Sequence, residues 1–130
     1  MTVDLWMLVY SGLLCALIPN VGVFGLSRLP GGLAWGFGNR DTPFTVPGWV
    51  ERGRRAHANM VENLPVFTIL VLVAHVAGKA DATTALGSQI FFVGRVAHAA
   101  IYIAGIPVLR TIAFAVSVVG EVMILVRIFS

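Results

Sequence analysis

Apolar residues in this chain fall into four long segments separated by short polar links. The segments cover residues 5–27, 48–77, 84–104 and 107–129. Each segment is long enough to cross the hydrocarbon core of a bilayer, which takes about 20 residues of helix. The links between the later segments are short, so consecutive helices are expected to pack antiparallel. The pattern predicts an all-α membrane protein, a four-transmembrane-helix bundle that forms a single domain over residues 1–130.

The composition agrees with burial in a membrane. Of the 130 residues, 58% are hydrophobic and 12% are charged, whereas soluble domains carry about 25% charged residues. The formal net charge of +3 is therefore better explained by contact with anionic membrane lipids than by binding to nucleic acid. Pro19 and Gly22 lie inside the first segment and predict a kink there.

Basic residues are concentrated in the one long link, residues 28–46, and in the start of the helix that follows. This region holds five of the nine basic residues, namely Arg28, Arg40, Arg52, Arg54 and Arg55. The positive-inside rule then places the long link in the cytoplasm and both termini on the opposite side. Arg40, Arg52 and Arg54 are most simply interpreted as topology determinants at the lipid headgroups.

Polar side chains also occur in or next to the apolar segments, and nine of them fall in the membrane half next to the long link. They are Arg28, Arg55, Asn59, Glu62, Arg95, His98, Tyr102, Arg110 and Thr111. Those on the second segment are spaced i, i+4, i+7 and those on the third i, i+3, i+7, so each set shares a helix face. Ionisable groups in hydrocarbon are costly and mark functional sites. Four segments therefore bring a candidate site to one depth.

The residue types favour a small polyanionic ligand. Arginine binds carboxylates bidentately and stays charged, and Glu62 is suited to an ammonium group. Glutathione, with two carboxylates, one amine and one thiol, fits this description as a co-substrate. Its reactive form is the thiolate, for which we expect Arg110 to provide stabilisation and Thr111 a further hydrogen bond. The electrophile would be a hydrophobic small molecule that arrives from the lipid.

Other interpretations remain open at this point. Arg55 and Glu62 can instead form a structural ion pair, and His57 and His98 can ligate haem, although the surrounding arginines suit an anion better, so no haem and no metal are expected. Glu121 has no evident role and is expected to pair with Lys79 or Arg127.

Two other functional classes compete with an enzyme. One is a non-catalytic binding or scaffold subunit that retains the polar pocket. The other is a small four-helix exporter, which predicts an acidic residue in the middle of the first span. Residues 5–27 contain none, so the exporter ranks last.

Three motifs resemble those of the MAPEG family, the membrane-associated proteins in eicosanoid and glutathione metabolism. Arg55-Ala-His-Ala-Asn-Met-Val-Glu-Asn-Leu-Pro65 resembles the second-helix signature of that family. Gly94-Arg-Val-Ala-His-Ala-Ala-Ile-Tyr102 resembles the third-helix signature, and Pro107-Val-Leu-Arg-Thr111 the start of the fourth helix. The chain thus looks like a bacterial-type member.

The resemblance carries several expectations beyond the residues themselves. It implies a homotrimer of four-helix subunits in a bacterial inner membrane, with glutathione bound between neighbouring subunits on the cytoplasmic side. It implies glutathione transferase or peroxidase activity on lipophilic substrates. By match, Arg110 would stabilise the thiolate, while the residues that would hold glutathione are Arg28, Arg55, Asn59, Glu62, Arg95, His98 and Tyr102.

Overall fold

The computed structural model describes all 130 residues, which form six helices joined by turns and one extended loop. The helices are α1 (Val3–Leu17), α2 (Asn20–Ser27), α3 (Gly32–Phe37), α4 (Gly48–Val76), α5 (Ala82–Ala104) and α6 (Pro107–Phe129). Helices α1 and α2 together form one span, so the chain has four helical stretches long and apolar enough to cross a membrane. The all-α prediction with four spans is confirmed.

The first span is interrupted between α1 and α2. Pro19 has no N–H to donate and its ring is incompatible with a continuous helix. The amide nitrogen Nδ2 of Asn20 donates to the carbonyl oxygen of Leu17 at 3.0 Å, which satisfies an acceptor freed by the break. The kink predicted at Pro19 is therefore confirmed, although the helix starts at Val3, two residues earlier than the sequence predicted.

The short helix α3 lies in the link that the sequence analysis treated as a loop. Gly31 precedes α3 with a φ of +73°, a conformation that favours glycine. The indole N–H of Trp35 donates to the carbonyl oxygen of Thr42 at 2.6 Å, and its ring stacks on Phe44. These contacts stabilise a glycine-rich segment whose intrinsic helix propensity is low. That is why the hydrophobic pattern did not predict it.

Helices α5 and α6 approach each other closely along their length. Gly87 on α5 and Gly120 on α6 face each other, and a Cβ atom on Gly120 would collide with the Gly87 carbonyl oxygen. Small residues at such positions let helix backbones come into contact in a membrane. Beside this seam, the rings of Phe67 on α4 and Phe91 on α5 stack with centroids 3.8 Å apart at the centre of the core.

Different side-chain contacts stabilise the two ends of the bundle. At the end opposite the long loop, Asp81 caps α5 by accepting from the backbone N–H groups of Thr83 and Thr84 at 2.8 and 3.2 Å. Asp81 also pairs with Arg127 at the end of α6 at 2.6 Å. At the loop-side end, the α5–α6 turn is covered by Arg52, whose Nε donates to the Ile103 carbonyl oxygen at 2.9 Å. Arg52 is therefore a structural contact as well as an interfacial cation.

The close α5–α6 seam generates a stability prediction. Gly120→Ala places a methyl group against the Gly87 carbonyl and should destabilise the protein by about 1–3 kcal/mol, the usual cost of overpacking. Gly12→Ala is the matched control, because nothing lies within 4 Å of a Cβ atom there. Thermal unfolding of both variants in detergent checks this. A Gly120→Ala midpoint equal to that of the control would contradict the packing.

The Asp81 cap generates a pH prediction. The hydrogen bond from Arg127, followed by that from the Thr84 N–H, holds the pKa of Asp81 below its ordinary value of 3.8. The folded state thus favours the carboxylate, so its contribution is present above the ordinary pKa and is lost as the pH falls through the folded value.

Asp81→Asn retains a good capping residue but removes the charge, and should flatten the fall in melting temperature below about pH 4. Asp41→Asn, which removes an exposed loop carboxylate outside any ion pair, is the control and should leave that slope unchanged. Identical slopes for wild type and Asp81→Asn would rule out this contribution.

Candidate functional site

Arg95 on α5 is the most buried charged side chain in the bundle, with 1% of its surface exposed. Its Nη2 donates to Oδ1 of Asn59 on α4 at 2.8 Å, and its Nε lies 3.3 Å from the sulfur of Met60. Its Nη1 is buried and has no hydrogen-bond partner. An arginine in hydrocarbon is costly unless it is paired. The hydrogen bond to Asn59 lowers the cost of burying Arg95, while the Nη1 group remains without a partner.

His98 and Tyr102 follow Arg95 on the same face of α5. His98 is 3% exposed, and its Nδ1 is buried without a partner. Its ring meets the edge of Tyr102 at a centroid distance of 5.4 Å. The guanidinium carbon of Arg110 lies 4.3 Å from the centre of the Tyr102 ring, within cation–π range. This contact holds Arg110, at the start of α6, against the polar face of α5.

These side chains line one cavity at the loop-side end of the bundle. Its volume is about 230 Å³, and α4, α5 and α6 all contribute to it. The lining residues are Asn59, His98, Tyr102, Arg110, Thr111 and Phe114. Ligand pockets that enclose a drug-sized molecule measure about 300–1,000 Å³. One protomer therefore offers a partial pocket, open at its mouth, rather than a complete enclosure for a tripeptide.

Thr111 lies at the edge of this cavity but its hydroxyl is already engaged. Its Oγ1 donates to the carbonyl oxygen of Pro107 one turn earlier, at 3.1 Å. The hydroxyl oxygen retains free lone pairs, so in this arrangement Thr111 presents an acceptor rather than the donor that the sequence analysis expected.

Three of the nine predicted site residues lie elsewhere. Arg55 and Glu62 are exposed on the outer surface of α4, and neither lines the cavity. Arg28, the residue after α2, is exposed too, with its guanidinium 4.4 Å from the centre of the Phe24 ring. Arg28, Arg55 and Glu62 thus remain on the protomer surface. The structure brings together the other six predicted residues, namely Asn59, Arg95, His98, Tyr102, Arg110 and Thr111.

The site cations form no ion pairs with acidic side chains. The structure contains two ion pairs, Arg54 with Glu51 at 2.7 Å and Arg127 with Asp81. Neither involves a site residue, so the proposed structural pair between Arg55 and Glu62 is not formed. None of the guanidiniums at positions 28, 55, 95 and 110 forms an ion pair with a carboxylate, although Glu121 is close enough to Arg95 for a Coulombic attraction.

One further expectation from the sequence does not hold, and one disfavoured alternative gains no support. Glu121 pairs with neither Lys79 nor Arg127, because Arg127 is taken by Asp81; the buried Oε1 of Glu121 has no partner. His57 and His98 line different cavities, so they do not form a haem-ligating pair.

Two residues that contribute to the site were not among its predicted members. Phe114 lines the cavity, with its ring 6.1 Å from that of His98 and 6.0 Å from the Arg95 guanidinium. Met60 provides the sulfur that lies against Arg95. Phe114 follows Arg110 by four residues and so shares its helix face, a spacing that could have identified it. The sequence offered no such signal for Met60, since an apolar side chain in a span is expected to be core.

Fold and site together define a class: a multi-pass membrane protein with a cationic pocket at one end of a four-span bundle. Residues 3–130 match the sequence model of the MAPEG family, and the chain belongs to that family. MAPEG proteins are a family of membrane enzymes that use glutathione. No curated protein matches the chain. The resemblance seen in the three motifs is thereby confirmed.

The pairing of Arg95 with Asn59 generates a prediction. Asn59→Ala removes a hydrogen bond to a charged group and should cost about 1.5–3 kcal/mol of stability. Asn63→Ala is the control, because the Asn63 amide bonds only to the backbone carbonyl of residue 59, at 2.7 Å, one turn along the same helix. Thermal unfolding of the two variants separates them. Equal losses would mean that the Asn59 amide does not support Arg95.

Proposed function

We propose that the protein is an integral membrane glutathione-dependent transferase or peroxidase that acts on lipophilic electrophiles. The observation that carries this proposal is that Arg95 and Arg110 lie at the loop-side end of the bundle and neither forms an ion pair with a carboxylate. Cations without an ion-pair partner in a poorly screened site favour an anionic ligand. Family membership supplies the ligand class, since the family uses glutathione.

Arg110 is the proposed thiolate-stabilising residue. It is the fourth residue of α6, close to the helix N-terminus, where the helix dipole also favours negative charge. An unperturbed thiol titrates near 8.5. Lowering that value by about two units takes roughly 2.7 kcal/mol of preferential stabilisation of the thiolate. A guanidinium at hydrogen-bond distance in a low-dielectric site can supply this amount.

The proposed reaction is nucleophilic. The thiolate sulfur attacks an electrophilic carbon, a carbon–sulfur bond forms, and a leaving group departs with the displaced electron pair. With a peroxide, the sulfur instead attacks an oxygen, the O–O bond breaks, and the alkoxide takes a proton and leaves as an alcohol, so that the sulfur becomes a sulfenic acid. A second glutathione thiol then attacks this sulfur, which forms the disulfide and releases water. The electrophile would reach Arg110 from the bilayer, because Val108, Leu109 and Ile112 beside it on α6 are exposed and apolar.

We further propose that the working unit is a homotrimer whose glutathione sites lie between neighbouring subunits. The cavity of about 230 Å³ in one protomer is too small to enclose a tripeptide. Arg28, Arg55 and Glu62 lie on the protomer surface, where a neighbouring subunit would bring them to the mouth of another cavity. Their charges would otherwise face lipid, which cannot satisfy them. With the positive-inside rule, the site would open to the cytoplasm.

Substitution of Arg110 tests the catalytic proposal. Arg110→Ala should lower the rate of glutathione conjugation to chlorodinitrobenzene by about 10²-fold, the usual effect of removing one charge-stabilising donor. The ultraviolet absorbance of bound thiolate should also disappear. Arg127→Ala removes an arginine at the far end of the same helix and should retain the wild-type rate.

The same assay distinguishes the alternative of a non-catalytic binding subunit. Wild-type protein that binds glutathione in a titration, yet turns over no substrate from a broad panel of electrophiles and peroxides, would refute the enzymatic proposal and favour that alternative.

A further inference from the structure

A second polar cavity lies at the loop-side end of the bundle, between the interrupted first span and α4. Its volume is about 290 Å³. Its polar wall contains Arg40, Arg54 and His57, and its apolar wall contains Ile18, Val23 and Leu26. The interruption at Pro19 shapes this space, because a straight helix would not open a gap at that level. Two arginines and one histidine thus face an apolar wall at the loop-side end of the bundle.

The two guanidiniums in this cavity retain free donors. Arg40 has a φ of +58° and folds back over α3, so that its Nε and Nη2 donate to the Gly36 carbonyl oxygen at 3.0 and 2.8 Å. Its Nη1 has no partner. Arg54 uses Nη1 for Glu51 and keeps Nε and Nη2 free. The Glu51 carboxylate is therefore the one acidic partner of two guanidiniums and an imidazole. The cavity thus favours an anion.

This cavity is distinct from the candidate glutathione site. His57 and Asn59 are two residues apart on α4, which puts them about 200° apart around the helix at 3.6 residues per turn. Accordingly, His57 lines this cavity and Asn59 lines the other. The two cavities have no lining residue in common.

We propose that this second cavity binds the phosphate of an anionic phospholipid. The free guanidinium donors would hold the phosphate oxygens, for which arginine is well suited. The apolar wall of Ile18, Val23 and Leu26 would contact the glycerol and upper acyl carbons. The cavity lies beside the basic loop, which the positive-inside rule places next to the headgroups. A soluble phosphate ester shares the polar chemistry but makes no use of the apolar wall.

The test measures lipid binding to the full-length protein in an uncharged detergent by native mass spectrometry. The probes are phosphatidylglycerol, phosphatidylcholine and glycerol 3-phosphate. We expect phosphatidylglycerol to bind about tenfold more tightly than phosphatidylcholine, in line with the effect of basic residues near anionic lipid. Glycerol 3-phosphate should bind more weakly than phosphatidylglycerol.

Two pairs of variants locate the site. Gly22 lines the cavity, and nothing lies within 4 Å of a Cβ atom there, so Gly22→Leu places a side chain in the cavity without a clash at Cβ. Gly12→Leu is its control, since Gly12 is equally unobstructed and lies outside the cavity. Arg54→Gln removes a cation from the wall, and Lys79→Gln removes one at the opposite end of the bundle.

Gly22→Leu and Arg54→Gln should each weaken phosphatidylglycerol binding about tenfold, and both controls should bind as wild type does. Equal affinity for both lipids, or equal effects of a variant and its control, would overturn the proposal. Glycerol 3-phosphate that binds as tightly as phosphatidylglycerol would overturn the assignment to lipid. Displacement of the lipid by glutathione would show that the two cavities are not independent.

Discussion

The hydrogen bond between Asn59 and Arg95 is the interaction on which the rest of the site depends. It joins α4 to α5 with a donor–acceptor distance of 2.8 Å. It also provides a partner for the permanent positive charge of Arg95, which is buried inside an apolar bundle. A buried guanidinium with one amide partner is only partly compensated, and its Nη1 is left with no partner. Burial of Arg95 therefore costs stability, and the same side chain provides a positive charge for an anionic ligand.

No ion pair cancels this charge, although the Glu121 carboxylate attracts it. The two ion pairs of the chain, Arg54 with Glu51 and Arg127 with Asp81, lie outside the candidate site. Helix α6 contributes Arg110 at its start, held against the Tyr102 ring at 4.3 Å. The close α5–α6 seam fixes the position of both helices. Packing that serves stability thus also sets the distance between the groups that would act on a thiolate.

The sequence predicted the four spans and the polar face of α5 because both follow simple periods. Arg95, His98 and Tyr102 repeat at one helix face, and two of the three line the cavity while the third bonds to Asn59. The face of α4 was harder to interpret. Arg55 and Glu62 share its surface stripe, whereas Asn59, offset by about 40° around the helix from Arg55, turns inward.

A helical period alone cannot distinguish the interior of one bundle from the contact with a neighbouring subunit, and this limited the prediction on α4. Helix α3 was missed for a different reason. Its stability comes from contacts of Trp35 with Thr42 and Phe44, which are set by the folded loop and leave no periodic signal. Phe114 and Met60 were overlooked because apolar side chains in a span are ordinarily core.

The central claim is that guanidiniums from separate spans hold glutathione at one end of the bundle. A structure of the purified assembly with glutathione bound tests it most directly. The account predicts the tripeptide at the mouth of the cavity formed by Asn59, His98 and Tyr102, with its sulfur at hydrogen-bond distance from Arg110 and its carboxylates on arginines. Glutathione density elsewhere, or an occupied site with Arg110 turned away from the sulfur, would contradict it.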